Sequence, residues 1–186
     1  NIDSLINVKM SKDILAKFVK KNIYLILIIL ISTFFLIPLL LPGFFASHDG
    51  QSHLIRSAAY FKALMDGQFP PRWAGDLNYG YGSPSFISYY PLLAFLISIL
   101  HFFTFSFENA YKILLGLSFL ASPVFFYTWS KQFFKNHVAF VSSLFYGIAP
   151  YSFLDLYVRG HLGESLALAL MPLVLFFIQR NRVAPQ

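Results

Sequence analysis

Asp49, His53, Arg56 and Tyr60 recur at spacings of four, three and four, which places a carboxylate, an imidazole, a guanidinium and a phenol on one helical face. A positioned carboxylate can take a proton from a hydroxyl, and a guanidinium fork can pair with phosphate oxygens. Between this stripe and Pro91 come Phe69-Pro70-Pro71-Arg72-Trp73 and Tyr79-Gly80-Tyr81-Gly82-Ser83-Pro84. Their prolines and glycines exclude a helix and fix an irregular loop. Aromatic faces stack on apolar sugar faces, so Arg72, Trp73 and Tyr81 join the sugar- or phosphate-binding candidates. A second polar connector, Asp155-Leu-Tyr-Val-Arg159-Gly-His161-Leu-Gly-Glu164, follows later. Plainer readings stand beside these. Ser47 or Asp49 can cap a helix, Arg56 can anchor to lipid headgroups, single tyrosines can belong to an interfacial belt, and Arg159 with Glu164 can form an ion pair. His53, Asp155 and His161 are of metal-ligating type, but two histidines without a defined third ligand do not make a zinc site.

The elements that must hold these residues are apolar. The 186-residue chain is 57% hydrophobic, 19% aromatic and only 12% charged, against about 25% charged in a soluble domain. Its net charge of +6 does not form a basic face for nucleic acid, because Lys9, Lys12, Lys17, Lys20 and Lys21 crowd one end. The absence of cysteine removes disulfides, thiolate metal sites and cysteine nucleophiles. Ile23–Leu41 is long enough to span a bilayer and exceeds the ~7–15 residues of a signal-peptide core. Phe86–Phe105, Tyr111–Ser130, Val138–Tyr151 and Leu162–Ile178 are further apolar runs.

Basic clusters favour the cytoplasmic side. With the flank 1–22, Lys131–Lys135 and Arg180–Arg182 all inside, only one of the two runs between Gly43 and Lys131 can cross. The expected layout is a first span at 23–42 and an external loop at 43–88 carrying an interfacial helix to about Met65. Residues 86–105 re-enter or lie at the surface, and 111–130, 138–151 and 162–178 span. The alternative, in which all five runs cross, moves the 155–164 connector to the cytoplasm. Leu54, Ile55, Ala58, Phe61 and Met65 are the expected membrane-facing side of the interfacial helix.

A basic flank, a first span, an external Asp, a surface helix, Phe-Pro-Pro-Arg-Trp, Gly-Tyr-Gly-x-Pro, Tyr-Tyr-Pro and Tyr-x-Arg-Gly-x-x-Gly-Glu follow in that order. This order resembles the N-terminal part of prokaryotic "6-pyruvoyl-tetrahydropterin synthase-related" membrane proteins, over roughly residues 22–180. These in turn resemble the GT-C superfamily of polyprenyl-phosphate-dependent glycosyltransferases. The resemblance implies that Asp49 is the functional carboxylate of the first external loop. It further implies that Asp155 or Glu164 binds metal or substrate in the second. The connector departs from the pattern, having no Asp-x-Asp or Glu-x-Asp pair, which puts a divalent metal ion in doubt. Nor do the residues support a pterin synthase, which needs a soluble fold and a clustered-His zinc site.

The expected protein is an all-α, multi-span helical bundle of GT-C-like kind in the cytoplasmic membrane, with a cytoplasmic N-terminus and a further C-terminal part. Its expected activity is inverting sugar transfer from a polyprenyl-phosphate donor on the extracytoplasmic face. Asp49 is the expected base, and His53, Arg56, Tyr60, Arg72, Trp73, Tyr81, Arg159 and Glu164 contact substrate. The partners are the lipid bilayer and the lipid-linked sugar. The alternative is a non-enzymatic transporter or flippase for lipid-linked glycans.

Overall fold

The computed structural model describes the backbone of residues 2–183 and the side chains of residues 17–181. Lys9, Lys12 and Arg182, counted in the basic clusters above, lie outside the described side chains. All regular structure among the described residues is helical, with one isolated bridge between Ala74 and Ser83.

Helix α1 (Ile2–Phe35) leaves helical geometry at Asn22, next to the start of its apolar stretch. It also ends sooner than the expected 23–42 span. Pro38 lacks an amide hydrogen and disfavours helix in the residue before it, so Ile37–Leu40 tighten into a short 3₁₀ turn. The Lys112 Nζ donates to the carbonyls of Leu41, at 2.8 Å, and of Gly43, tying this turn to the later chain.

Helix α2 (Gly50–Met65) follows, then the irregular loop and a single turn, α3 (Ser85–Ser88). The run 86–105 is not one helix, because Tyr89 is extended and Pro91 restarts the chain as α4 (Leu92–Phe102). Its 11 residues reach about 16 Å, half the ~30 Å hydrocarbon core. Helix α5 (Phe107–Ser130) begins a turn earlier than expected, with Ser106 Oγ accepting from the Asn109 amide at 3.1 Å. Glu108 therefore belongs to the first turn of α5 rather than to the end of the preceding run.

Helix α6 (Asn136–Gly147) stops before Ala149-Pro150, and the expected 138–151 span becomes a broken one. α7 (Pro150–Phe153) continues into a π-helical turn, Leu154–Arg159, bent 44° from α6. Helix α8 (Leu162–Val183) closes the chain. Lys17–Phe35, Phe107–Ser130 and Leu162–Asn181 are each long and apolar enough to cross a bilayer, with a fourth crossing if the bent pair counts as one. Leu30 and Phe34 on α1 and Met171, Val174 and Phe177 on α8 point outward.

Helix α5 is central; α1 and α6 run antiparallel along it, and α8, which starts beside Tyr111 at the same end, runs parallel to it. A Cβ on Gly147 would lie 2.7 Å from Pro123, so α5 and α6 meet where a glycine admits a proline ring. Leu39, Leu93, Ile97, Tyr111, Leu115, Leu156 and Leu162 form the core at one end, and Ile28, Tyr127 and Ala139 pack at the other. This threading sorts the charges. Lys17, Lys20, Lys21, Lys131, Lys135 and Arg180 lie at the second end, while Asp49, Asp66, Asp76, Glu108, Asp155 and Glu164 gather at the first.

Candidate functional site

The two polar segments singled out from the sequence meet. The His48 amide donates to the Val158 carbonyl at 3.1 Å and the Asp49 amide to the Arg159 carbonyl at 2.8 Å. The connector can turn there because Gly160 is left-handed (φ 61°), and a side chain would not fit. Its Cβ would lie 2.6 Å from Ser47 Oγ and 2.7 Å from Tyr111 Oη. Tyr111, on α5, donates to the Gly160 carbonyl at 2.5 Å.

Asp49 sits at the N-cap of α2 but does not cap it. Its backbone is already helical (φ −107°, ψ −15°) rather than extended, and its carboxylate takes no cap hydrogen bond. It also forms no ion pair among the described residues. The half-buried carboxylate is therefore uncommitted at the place where the loops join.

The stripe on α2 does share a face, but that face is packed inward rather than spread on a surface. His53 is 4% exposed and Tyr60 3%, while Ile55 and Met65 of the expected membrane-facing side point outward. His53 stacks over Tyr111, with centroids 6.4 Å apart, and meets the edge of His161 at 5.3 Å. Its Nε2 is buried without a hydrogen-bond partner. Burial first, then the neighbouring His161 and Arg56, lowers its pKa to about 4 against the opposing pull of Asp49. The imidazole is neutral at neutral pH.

Arg56 lies over the Tyr89 ring, its guanidinium carbon 4.0 Å from the centroid. Tyr89 stacks on Tyr90 at 4.7 Å, and Tyr90 Oη is 3.3 Å from His161 Nε2. His161 Nδ1 accepts from the Glu164 amide at 3.1 Å, which turns Nε2 toward Tyr90. Burial, with Tyr89 adding to it, pushes the Tyr90 phenol up, so that oxygen stays protonated.

Arg159 and Glu164 form the ion pair. Arg159 Nη1 and Nη2 donate to Glu164 Oε2 and Oε1 at 2.5 and 2.9 Å. Nη1 also reaches Tyr151 Oη at 2.9 Å and lies 3.7 Å from Asp155 Oδ1. Ser165 Oγ donates to Asp155 Oδ2 at 2.6 Å, leaving Oδ1 buried without a hydrogen bond.

Asp155, His161 and Glu164 bring ligand-type atoms within 4.8 Å of one another, but they do not suit a divalent ion. Both Glu164 oxygens are held by Arg159, and both His161 nitrogens already face partners. The guanidinium supplies the positive charge where a cation would sit.

The other expected contacts lie apart. Tyr60 packs edge-to-face on Phe86 at 5.1 Å, in a small core with Ala59, Ala63 and Ala74. The Arg72 and Trp73 amides share Gln68 Oε1 at 3.4 and 3.2 Å, the Trp73 indole covers Gly82, and Tyr81 is 84% exposed. The cluster also holds residues that spacing did not assign to the site: Ser47, Tyr89, Tyr90, Tyr111 and Gly160. Tyr89-Tyr90-Pro91 was visible as a break in an apolar run, whereas nothing local marks Tyr111 on its helix.

The chain is similar to an uncharacterized protein of Lactococcus lactis subsp. cremoris (strain MG1363), at 24% identity over 175 residues. The match covers 91% of this chain and 28% of that relative, so the chain spans less than a third of the relative's length. No protein-family model and no solved structure matches the chain.

Proposed function

We propose that the chain is the N-terminal part of a multi-span membrane glycosyltransferase of GT-C-like kind, transferring a sugar from a polyprenyl phosphate on the extracytoplasmic face. The observation that carries this reading is the uncommitted Asp49 carboxylate at the junction of the two polar segments. The basic end is cytoplasmic by the positive-inside preference, so Asp49, Arg56, Arg159 and Glu164 lie together outside the cell membrane. Short α4 stays on that side.

In this reading Asp49 accepts the proton of an acceptor hydroxyl as the anomeric carbon is attacked, a role worth ~10²–10⁴-fold. Arg56 meets the charge that develops on the departing lipid phosphate. It is better suited than Arg159, whose charge is already spent on Glu164 and Asp155. Arg159 and Glu164 instead hold the connector whose carbonyls receive the His48 and Asp49 amides.

Two experiments test this in the full-length protein. Single cysteines at His48, Gln132 and Val158 are labelled in intact cells with an impermeant thiol reagent. Labelling at His48 and Val158 alone is expected, and labelling at Gln132 would reverse the threading. Asp49→Asn is then assayed for transfer from a polyprenyl-phosphate sugar. Near-normal transfer would remove Asp49 from the chemistry and bring forward a carrier of lipid-linked glycans.

A further inference from the structure

On a different face of α5 from Tyr111, a groove of about 440 Å³ opens between that helix and the 3₁₀ turn Ile37–Leu40. Its volume is in the range of sites that hold small ligands, ~300–1,000 Å³. Leu36, Leu39, Leu117 and Leu120 form its walls. At the bottom, Gly116 presents no side chain, and a Cβ there would just touch the methyls of Leu36 and Leu39, at 3.6 and 3.7 Å.

One end is polar. Lys112 and Asn109 line it, and no acidic residue lines any part of the groove. The Lys112 ammonium donates to two neutral carbonyls, those of Leu41 and Gly43, which leaves one N–H and the whole positive charge. Among the described residues no carboxylate lies within 4 Å of it, Glu108 one turn before included.

We propose that this groove binds one anionic glycerophospholipid, its acyl chain along the leucines from Lys112 toward Leu120 and its phosphate on Lys112. Charge complementarity selects the headgroup. The lysine attracts a phosphate, and no carboxylate is present to receive the ammonium of a zwitterionic lipid. The apolar length selects a lipid over a free phosphate. The bound lipid fills the gap that Pro38 opens where α1 ends, bracing the turn from which the Asp49 segment departs. This rests on the membrane placement above, but not on sugar transfer.

The test uses full-length protein in nanodiscs containing equal phosphatidylglycerol and phosphatidylcholine, with retained lipid counted by native mass spectrometry. Phosphatidylglycerol should be retained in preference. Lys112→Gln keeps a donor for the carbonyls but removes the charge, and should lower that preference about five-fold. Gly116→Leu fills the groove and should reduce retained lipid of both kinds while Lys112 remains, which guards against misfolding of the first variant. Equal retention of the two lipids, or retention unchanged in both variants, overturns the proposal. So does polyprenyl phosphate recovered in place of phospholipid, or a crosslink from Leu117 to a later part of the chain with no lipid retained. Sugar transfer is measured on the same samples, so that equal retention of the two lipids by the unaltered protein with transfer intact counts against this site alone. A protein recovered without detergent in the soluble fraction counts against the membrane placement itself.

Discussion

The Tyr111 hydroxyl donates to the Gly160 carbonyl at 2.5 Å, linking the centre of the helical packing to the left-handed turn that holds Asp49 in place. Tyr111→Phe leaves that buried carbonyl without its donor and should cost about 1–3 kcal/mol, read as a lowered Tm in detergent. Gly160→Ala should be worse. It adds an unfavourable backbone conformation to a Cβ lying 2.6 Å from Ser47 Oγ. Equal stability of both variants and the parent would mean the turn is held some other way.

Asp49 and Glu164 should fail differently. Asp49→Asn removes a base but no bond, so transfer is expected to drop about 10²-fold or more with Tm unchanged. Glu164→Gln breaks the fork on Arg159 and should lower Tm first, with a smaller effect on turnover. The reverse pattern would exchange their roles.

Acid should weaken this cluster through His53. Its folded pKa of about 4 lies below the ordinary 6.5, so between these values the unfolded chain binds a proton that the folded chain does not. Stability is then full above pH 6.5 and falls as the pH drops toward 4. A decrease in Tm on the order of 5 °C is expected between pH 7 and 4.5. His53→Phe keeps the stack on Tyr111 and should flatten this dependence. An unchanged slope would assign it to other groups.

Gly82 has φ 83°, and a Cβ there would lie 2.5 Å from the Trp73 indole nitrogen. Gly82→Ala should displace that ring. In a Trp129→Phe background, Trp73 emission should shift to longer wavelength, with transfer little altered because this loop lies outside the Asp49 cluster. Unchanged emission would mean that the ring does not rest on the glycine.

The four-three-four spacing showed that Asp49, His53, Arg56 and Tyr60 share a face, because helical geometry is local. The direction of that face was not legible, since Tyr111, Phe86 and His161 decide it and all lie far along the chain. The breaks at Pro38, Pro91 and Pro150 are written in the sequence as missing amide hydrogens, which run length alone does not reveal. Counting basic clusters put the two polar segments on one side of the membrane, but their contact through the His48 and Asp49 amides depends on packing far along the chain and was not legible. Whether Arg159 and Glu164 pair could not be read from a spacing of five. It depends on the π-helical turn, which widens the backbone before Gly160.

The sorting of charges also bears on how fast the anionic donor of the proposed reaction would arrive. Beside the six carboxylates at the Asp49 end stand five cations, Arg56, Lys62, Arg72, Lys112 and Arg159, so that end is close to neutral. Lys62 is further paired with Asp76 at 2.7 Å. A nearly balanced surface provides no long-range field to guide a ligand through water. Association should therefore depend little on ionic strength, and a substrate reaching Arg56 would gain more from two-dimensional search along the bilayer than from attraction at a distance.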